Sequence, residues 1–309
     1  MKYQYIGNSS IKASKVSLGL MRIADKTNEE AKEIIKAALD SGINFFDHAD
    51  IYGGDGKSEL VFAKAIKELN IDRSKYYLQS KVGIRPGIEY NFTKEHILKS
   101  VDEILERLET TYLDSLLLHR PDILWEPEEI SEAFKILKET GKVKYFGVSN
   151  MHQQQVSYLQ SKLEDKLIAN QLQFSIMHAS MATTGTYANT NLKTDGFDAI
   201  GILDYMREHN ITIQAWSPFQ YGRYQGIFLD NEKFPELNVV LDELALKYET
   251  TKTALSVAWI LRHPANMQVL IGTMNPNRIK ECASATKIDL DRTDWYKILL
   301  AAGNKLLAL

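Results

Sequence analysis

Short apolar runs and longer amphipathic stretches alternate along this chain from one end to the other. The apolar runs, rich in β-branched, leucine and aromatic residues, fall at 16–18, 44–48, 76–82, 115–119, 145–149, 169–172, 212–217 and 268–271. Between them, helical periodicity predicts helices near 28–41, 58–69, 93–110, 127–140, 152–161, 197–209, 236–263 and 276–286, the long one broken by a threonine-rich turn at 250–253. A further C-terminal helix is predicted over 292–307. The strand runs are continuous rather than alternating, as strands buried on both faces of a parallel sheet require. Eight strand–helix repeats in 309 residues fit an α/β fold of the closed (β/α)8 TIM-barrel type better than an open doubly wound sheet. The open alternative should carry G-x-G-x-x-G after its first strand. Here that strand runs into Ser17-Leu-Gly-Leu-Met, with one glycine. The first dozen residues, with a turn-like Gly7-Asn8-Ser9-Ser10, predict an N-terminal hairpin at the barrel bottom. Longer connections at 175–196 and 218–235 follow strands six and seven, at the end where barrel enzymes keep their active sites.

Composition narrows the partners. A formal net charge of −3 with no basic stripe argues against nucleic acid. The lone Cys282 excludes an internal disulfide or a cysteine metal cluster, and no metal is expected. No apolar run reaches the ~18 residues of a membrane span, and the N-terminus lacks a signal-peptide layout. A cytoplasmic protein, monomer or small homo-oligomer, acting on a small molecule is the expectation.

In a barrel, polar residues at the C-terminal ends of strands converge on one mouth. Strand two ends Phe46-Asp47-His48-Ala49-Asp50-Ile51-Tyr52-Gly53, strand three Gln79-Ser80-Lys81, and strand four Leu118-His119-Arg120-Pro121. Singly, Asp47 could cap a turn, Lys81 could reach for solvent, and His119 could be structural. Together they suit proton donation to a carbonyl oxygen. An ammonium beside a tyrosine should lower its pKa of about 10, and a paired aspartate would hold that ammonium in place. The hydride must then come from a cofactor.

These motifs, with Gly141-Lys-Val-Lys-Tyr-Phe-Gly-Val-Ser-Asn150 and Leu117-Leu-His-Arg-Pro-Asp122, closely resemble the ordered signatures of the aldo-keto reductases. Within that family the chain looks most like bacterial oxidoreductases. The resemblance implies one NADP-dependent barrel domain over 1–309, reducing aldehydes or ketones to alcohols reversibly. Tyr52 would be the general acid, tuned by Lys81 and Asp47, and His119 would orient the carbonyl. Ser149, Asn150 and Gln171 would hold the nicotinamide carboxamide, with Trp216 stacked on its ring. Ser217 and Phe219 would line the pyrophosphate, and Gly19, Leu20 and Met21 would touch the cofactor beside strand one. Gly272 would lie in the adenosine-phosphate loop, where Thr273 and Arg278 would meet the 2′-phosphate and Glu281 the adenine. Among the departures, His48 replaces the common threonine, Gly272 a common lysine, and Cys282 a common asparagine. The resemblance implies NADPH as the preferred cofactor; loss of that lysine removes one phosphate contact and leaves NADH usable, though less well. A bulky aromatic is common where Met21 stands, which blocks any transfer of substrate preference.

Two other functions compete. The family includes barrels attached to channels, so a cofactor-binding regulatory or interaction subunit with little turnover is the alternative; the full Asp47/Tyr52/Lys81/His119 set favours an enzyme. Lys81 as a Schiff-base nucleophile is the other, but pairing with Asp47 should keep it charged. Substrate identity is expected to depend on the loops carrying Phe174, His178, Tyr187, Tyr221 and Tyr224.

Overall fold

The structure, a computed structural model, describes residues 1–188, 199–222 and 225–306. Eight parallel strands close into a barrel: β1 (Val16–Gly19), β2 (Phe45–Asp47), β3 (Tyr77–Val82), β4 (Leu113–Leu118), β5 (Val143–Ser149), β6 (Ala169–Gln173), β7 (Thr212–Trp216) and β8 (Gln268–Ile271). Each pairs with its neighbours in sequence, and β8 pairs with β1 to close the ring. All eight apolar runs are therefore strands. β4 and β5 start two residues earlier than expected, because Leu113 and Val143 pair across the barrel bottom.

The helices are α1 (Asn28–Asp40), α2 (Lys57–Glu68), α3 (Lys94–Arg107), α4 (Pro127–Glu139), α5 (Gln153–Gln160), α6 (Ile202–Glu208), α7 (Pro235–Lys247), α8 (Lys252–Leu261), α9 (Pro276–Ser284) and α10 (Arg292–Ala301). Local chemistry sets their ends. Thr27 accepts from Glu30 N while Glu30 accepts from Thr27 N, a reciprocal capping box that starts α1. α1 then buries Ala31, Ile34, Ile35 and Ala38 on one face against the sheet. The predicted long helix is two helices, α7 and α8, with Thr251 capping the second. The C-terminal helix stops at Ala301 rather than 307. Residues 197–198 of the predicted sixth helix and Tyr224 lie outside the described residues. Among the described residues, no helix is long and apolar enough to cross a membrane.

The expected hairpin pairs Tyr3–Tyr5 with Lys12–Ser14. Ile6, Ile11 and Ala13 from it pack on Phe45, Leu117, Ile168 and Ala169, plugging the barrel from its N-terminal end. Gly7 makes that plug possible. It has φ +51°, and a Cβ there would lie 2.4 Å from the Ile168 carbonyl oxygen. The hairpin fills this end of the barrel, and the polar strand ends lie at the opposite rim.

A short hairpin, Ile84–Arg85 with Glu89–Tyr90, was not foreseen; it rises from the rim after β3. A second, Gln220–Gly222 with Gly226–Ile227, sits in the loop after β7. The C-terminal tail meets the loop after β6, where Asn304 Nδ2 donates to Ile176 O at 3.2 Å and Tyr187 donates to Lys305 O.

Candidate active site

Side chains alternate along a strand, so Asp47 shares the inner face of β2 with Phe45, and Lys81 that of β3 with Gln79. Both strands end at the same rim, and the two charges meet there. Lys81 Nζ donates to Asp47 Oδ2 at 2.6 Å, to His48 O at 2.7 Å and to Tyr52 Oη at 3.2 Å. Asp47 and Lys81 are wholly buried, whereas Tyr52 and His119 are half-buried and reach the mouth. The rings of Tyr52 and His119 meet edge to face, 5.9 Å between centroids. Tyr52 stands on the loop after β2, folded back by its N–H donating to Ala49 O at 3.0 Å. The four residues singled out from three strands therefore come together.

The electrostatics follow from burial and pairing. Burial works against the Lys81 charge, but Asp47 and Tyr52 more than offset it and lift its pKa above the ordinary lysine value. Burial, then the positive Lys81 and Arg120, press His119 well below the usual imidazole range, so the ring is neutral at pH 7. Tyr52 departs from expectation. Burial pushes the phenol up, Lys81 pulls it down and Asp47 pushes it up again, and the balance lies above the ordinary tyrosine value. The neighbouring ammonium does act as predicted, but desolvation of the phenolate outweighs it.

Beneath this group runs a chain of buried amides, of which Gln171 alone is a candidate from the sequence. Gln79 Nε2 donates to Asp47 Oδ1 at 2.6 Å and to Gln214 Oε1 at 2.8 Å. Gln171 Nε2 donates to the same two oxygens at 3.0 and 3.2 Å. Gln214 passes the chain on to Gln268 Oε1 at 2.9 Å, and Ser115 Oγ closes it by donating to Gln79 Oε1 at 2.9 Å. The signal in the sequence is a glutamine in each of four barrel strands, Gln79, Gln171, Gln214 and Gln268. The network fixes Asp47 Oδ1 with two amide donors, leaving Oδ2 to the Lys81 ammonium.

The remaining candidates sort into two groups along the rim. Asn150, at φ +58°, receives Trp216 Nε1 on Oδ1 at 3.2 Å and donates to Ser149 Oγ at 2.8 Å and His119 O at 3.3 Å. Ser149 Oγ donates to Gln171 O at 3.0 Å. Ser149, Asn150, Gln171 and Trp216 are thus one cluster beside His119. Ser217, at φ +54°, donates to Gln220, and Phe219 O accepts from Phe228 N at 3.0 Å. The second group gathers at β8 and α9. Asn275 caps α9, accepting from Asn277 N at 2.9 Å and Arg278 N at 3.2 Å, and its own N–H donates to Thr273 Oγ1 at 3.2 Å. Two helix N-terminal donors are therefore already satisfied, and the Arg278 side chain is exposed there. Glu281 lies half-exposed one turn on.

Gly19 and Leu20 are buried beside β2, Leu20 N donating to Asp47 O at 2.9 Å, and Met21 is exposed. Next to Met21, Arg22 Nη1 donates to Gly272 O at 3.0 Å. Arg22 was not among the sequence candidates, because nothing in the local pattern shows that the loop after β1 crosses to β8. It places a cation beside the end of β8.

Comparisons with known proteins agree with this architecture. A family model described as the aldo/keto reductase family matches residues 15–299. A 6-dehydroglucose reductase of Novosphingobium aromaticivorans is 32% identical over 97% of this chain and 95% of its own. The "uncharacterized oxidoreductase YcsN" of Bacillus subtilis is 34% identical, covering 93% and 94% respectively. The solved structure of a thermostable aldo-keto reductase, Tm1743, aligns with a TM-score of 0.79 over 97% of this chain and 100% of that one, at 24% identity, which speaks to the fold.

Proposed function

The chain belongs to the aldo/keto reductase family of oxidoreductases, and on that premise we propose that residues 1–309 act as one barrel domain that reduces aldehydes or ketones to alcohols with NADPH, reversibly. The observation that carries this reading is the 3.2 Å contact between Tyr52 Oη and the Lys81 ammonium, itself held by buried Asp47. The carbonyl oxygen would lie between Tyr52 and the neutral His119. Tyr52 donates its proton to that oxygen, and the charge left on the phenolate faces Lys81, whose position costs no reorganisation. His119 orients the substrate by hydrogen bonding without competing as a charged acid.

The residues present suit a dinucleotide. Ser149, Asn150, Gln171 and Trp216 form a polar cluster with a flat ring at the rim, and Arg22 and Arg278 offer two cations toward β8. Bound NADPH supplies the hydride that no side chain can provide. Asn150 must exchange some of its internal hydrogen bonds to hold a carboxamide. Arg278, with Thr273, would distinguish NADPH from NADH. A Schiff-base role for Lys81 has no support, since the ion pair keeps its nitrogen protonated.

The test is NADPH consumption with an activated aryl aldehyde. Tyr52→Phe should cut kcat by at least ~10² with little change in cofactor affinity, given the usual weight of general acid catalysis. Near wild-type turnover in that variant would remove Tyr52 from the role. Cofactor binding without turnover of any carbonyl would favour a regulatory subunit instead.

A further inference from the structure

A second buried charged cluster lies behind Tyr52, and the proposed reaction does not use it. Asp50 sits two residues before Tyr52, and its N–H donates to Lys81 O at 3.1 Å. Glu59 on α2 is wholly buried; it accepts from Ser80 Oγ at 2.8 Å and from Arg107 Nε of α3 at 2.7 Å. Four charged or ionisable groups act on Asp50: Glu59 from α2, Arg107 from α3, Lys81 from β3, and Tyr52 from its own loop. With Asp47 included, this region holds three carboxyl groups, Asp47, Asp50 and Glu59, against two cations, Lys81 and Arg107. Lys81 is committed to Asp47 and Arg107 to Glu59. A third buried negative charge would go unmatched, so the cluster should retain one proton near neutrality.

Hydrogen bonding says where that proton resides. Glu59 has a charge-assisted partner on one oxygen and a hydroxyl on the other. Asp50 Oδ1 is buried and has no hydrogen-bond partner among the described residues, and Arg107 Nη2 likewise donates to none. We propose that Asp50 is a positioning residue for the reaction, a half-buried carboxyl with one oxygen sealed from solvent that keeps a proton behind Tyr52 and, on losing it, makes charge on the Tyr52 oxygen harder to form. This rests on the reading of Tyr52 as the acid. Burial and Glu59 both push Asp50 up, and against Arg107, the Ile51 N–H and Lys81 it settles at about 7. An ionised Asp50 would in turn raise Tyr52 further.

The experiment follows kcat for NADPH-dependent reduction of an activated aryl aldehyde over about pH 5.5–9 in the wild type, Asp50→Asn and Asp50→Glu, alongside carboxyl and tyrosine 13C NMR titrations of the cofactor-free proteins. In the wild type, kcat should fall about three- to tenfold as pH rises through neutrality, a shift of at most one pKa unit in the acid. Asp50→Asn should be flat there, and Asp50→Glu should keep the fall. Without cofactor, one carboxyl should titrate near neutrality in the wild type and be absent from Asp50→Asn, and the tyrosine signal missing from Tyr52→Phe should titrate lower in Asp50→Asn. A pH limb shared by the wild type and Asp50→Asn would overturn the inference, as would an unmoved Tyr52 titration. If no carbonyl turns over yet both NMR shifts occur, the Asp50–Tyr52 coupling stands and the assigned reaction fails.

Discussion

Tyr52 shows how two effects on one residue decide a direction of chemistry. Burial leaves the phenol above its ordinary pKa even with Lys81 at 3.2 Å, so it is protonated throughout the neutral range. A protonated phenol is the form that reduction needs and the wrong form for oxidation, which needs the phenolate as base. Alcohol oxidation should therefore keep rising with pH to about 10 or beyond, whereas reduction shows no such rise; stopped-flow rates in both directions check this. An oxidation rate that levels off near neutrality would contradict it. Lys81→Met should abolish activity while the barrel persists by circular dichroism, because the phenolate then develops in a buried site with no cation facing it.

At the scale of the element, each strand delivers one or two inward polar groups, and hydrogen bonds between strands make them a unit. Gln79 on β3 holds Asp47 of β2 and Gln214 of β7 and accepts from Ser115 of β4. Gln79→Leu removes one of the two amide donors to Asp47 Oδ1 and to Gln214 Oε1, which Gln171 still serves, and leaves the buried Ser115 hydroxyl without its acceptor. Denaturant unfolding should show a loss of about 1–3 kcal/mol, with kcat lowered as Asp47 loses one of its two amide anchors. Helix α9 carries the other element-scale prediction. Asn275 already occupies the donors of Asn277 and Arg278, so in the proposed role discrimination by the 2′-phosphate would fall chiefly on the Arg278 side chain. Arg278→Ala should weaken NADPH by about tenfold or more, the scale of a charge-assisted contact, and leave NADH nearly unchanged. Equal weakening of both, read by fluorescence titration, would place the phosphate elsewhere.

Across the whole molecule, the burial that builds the site also sets its response to acid. Burial, reinforced by Lys81, lowers His48 to about 3, and its Nε2 has no partner among the described residues. Unfolded, the same side chain takes a proton near its ordinary value of about 6.5. Between those values the unfolded chain binds more protons, so stability falls as pH drops from about 6.5 toward 3. Thermal unfolding of His48→Thr, which loses the titrating group, should show a shallower acid limb than the wild type even though lost packing on Phe62 lowers its melting temperature at pH 7. Identical slopes would mean that His48 is already protonated in the fold. The amino-acid order alone determined the eight strands, their parallel pairing and the rim on which Asp47, Tyr52, Lys81 and His119 gather, because a repeating βα pattern has one economical closure and strand periodicity aims alternate residues inward. It could not determine the sign of the Tyr52 shift, the reach of Arg22 to Gly272, the run of glutamines beneath Asp47, or the three carboxyls set against two cations behind the tyrosine. Each of these depends on distances between residues far apart in the chain and on how much water the folded barrel excludes, and local pattern encodes neither.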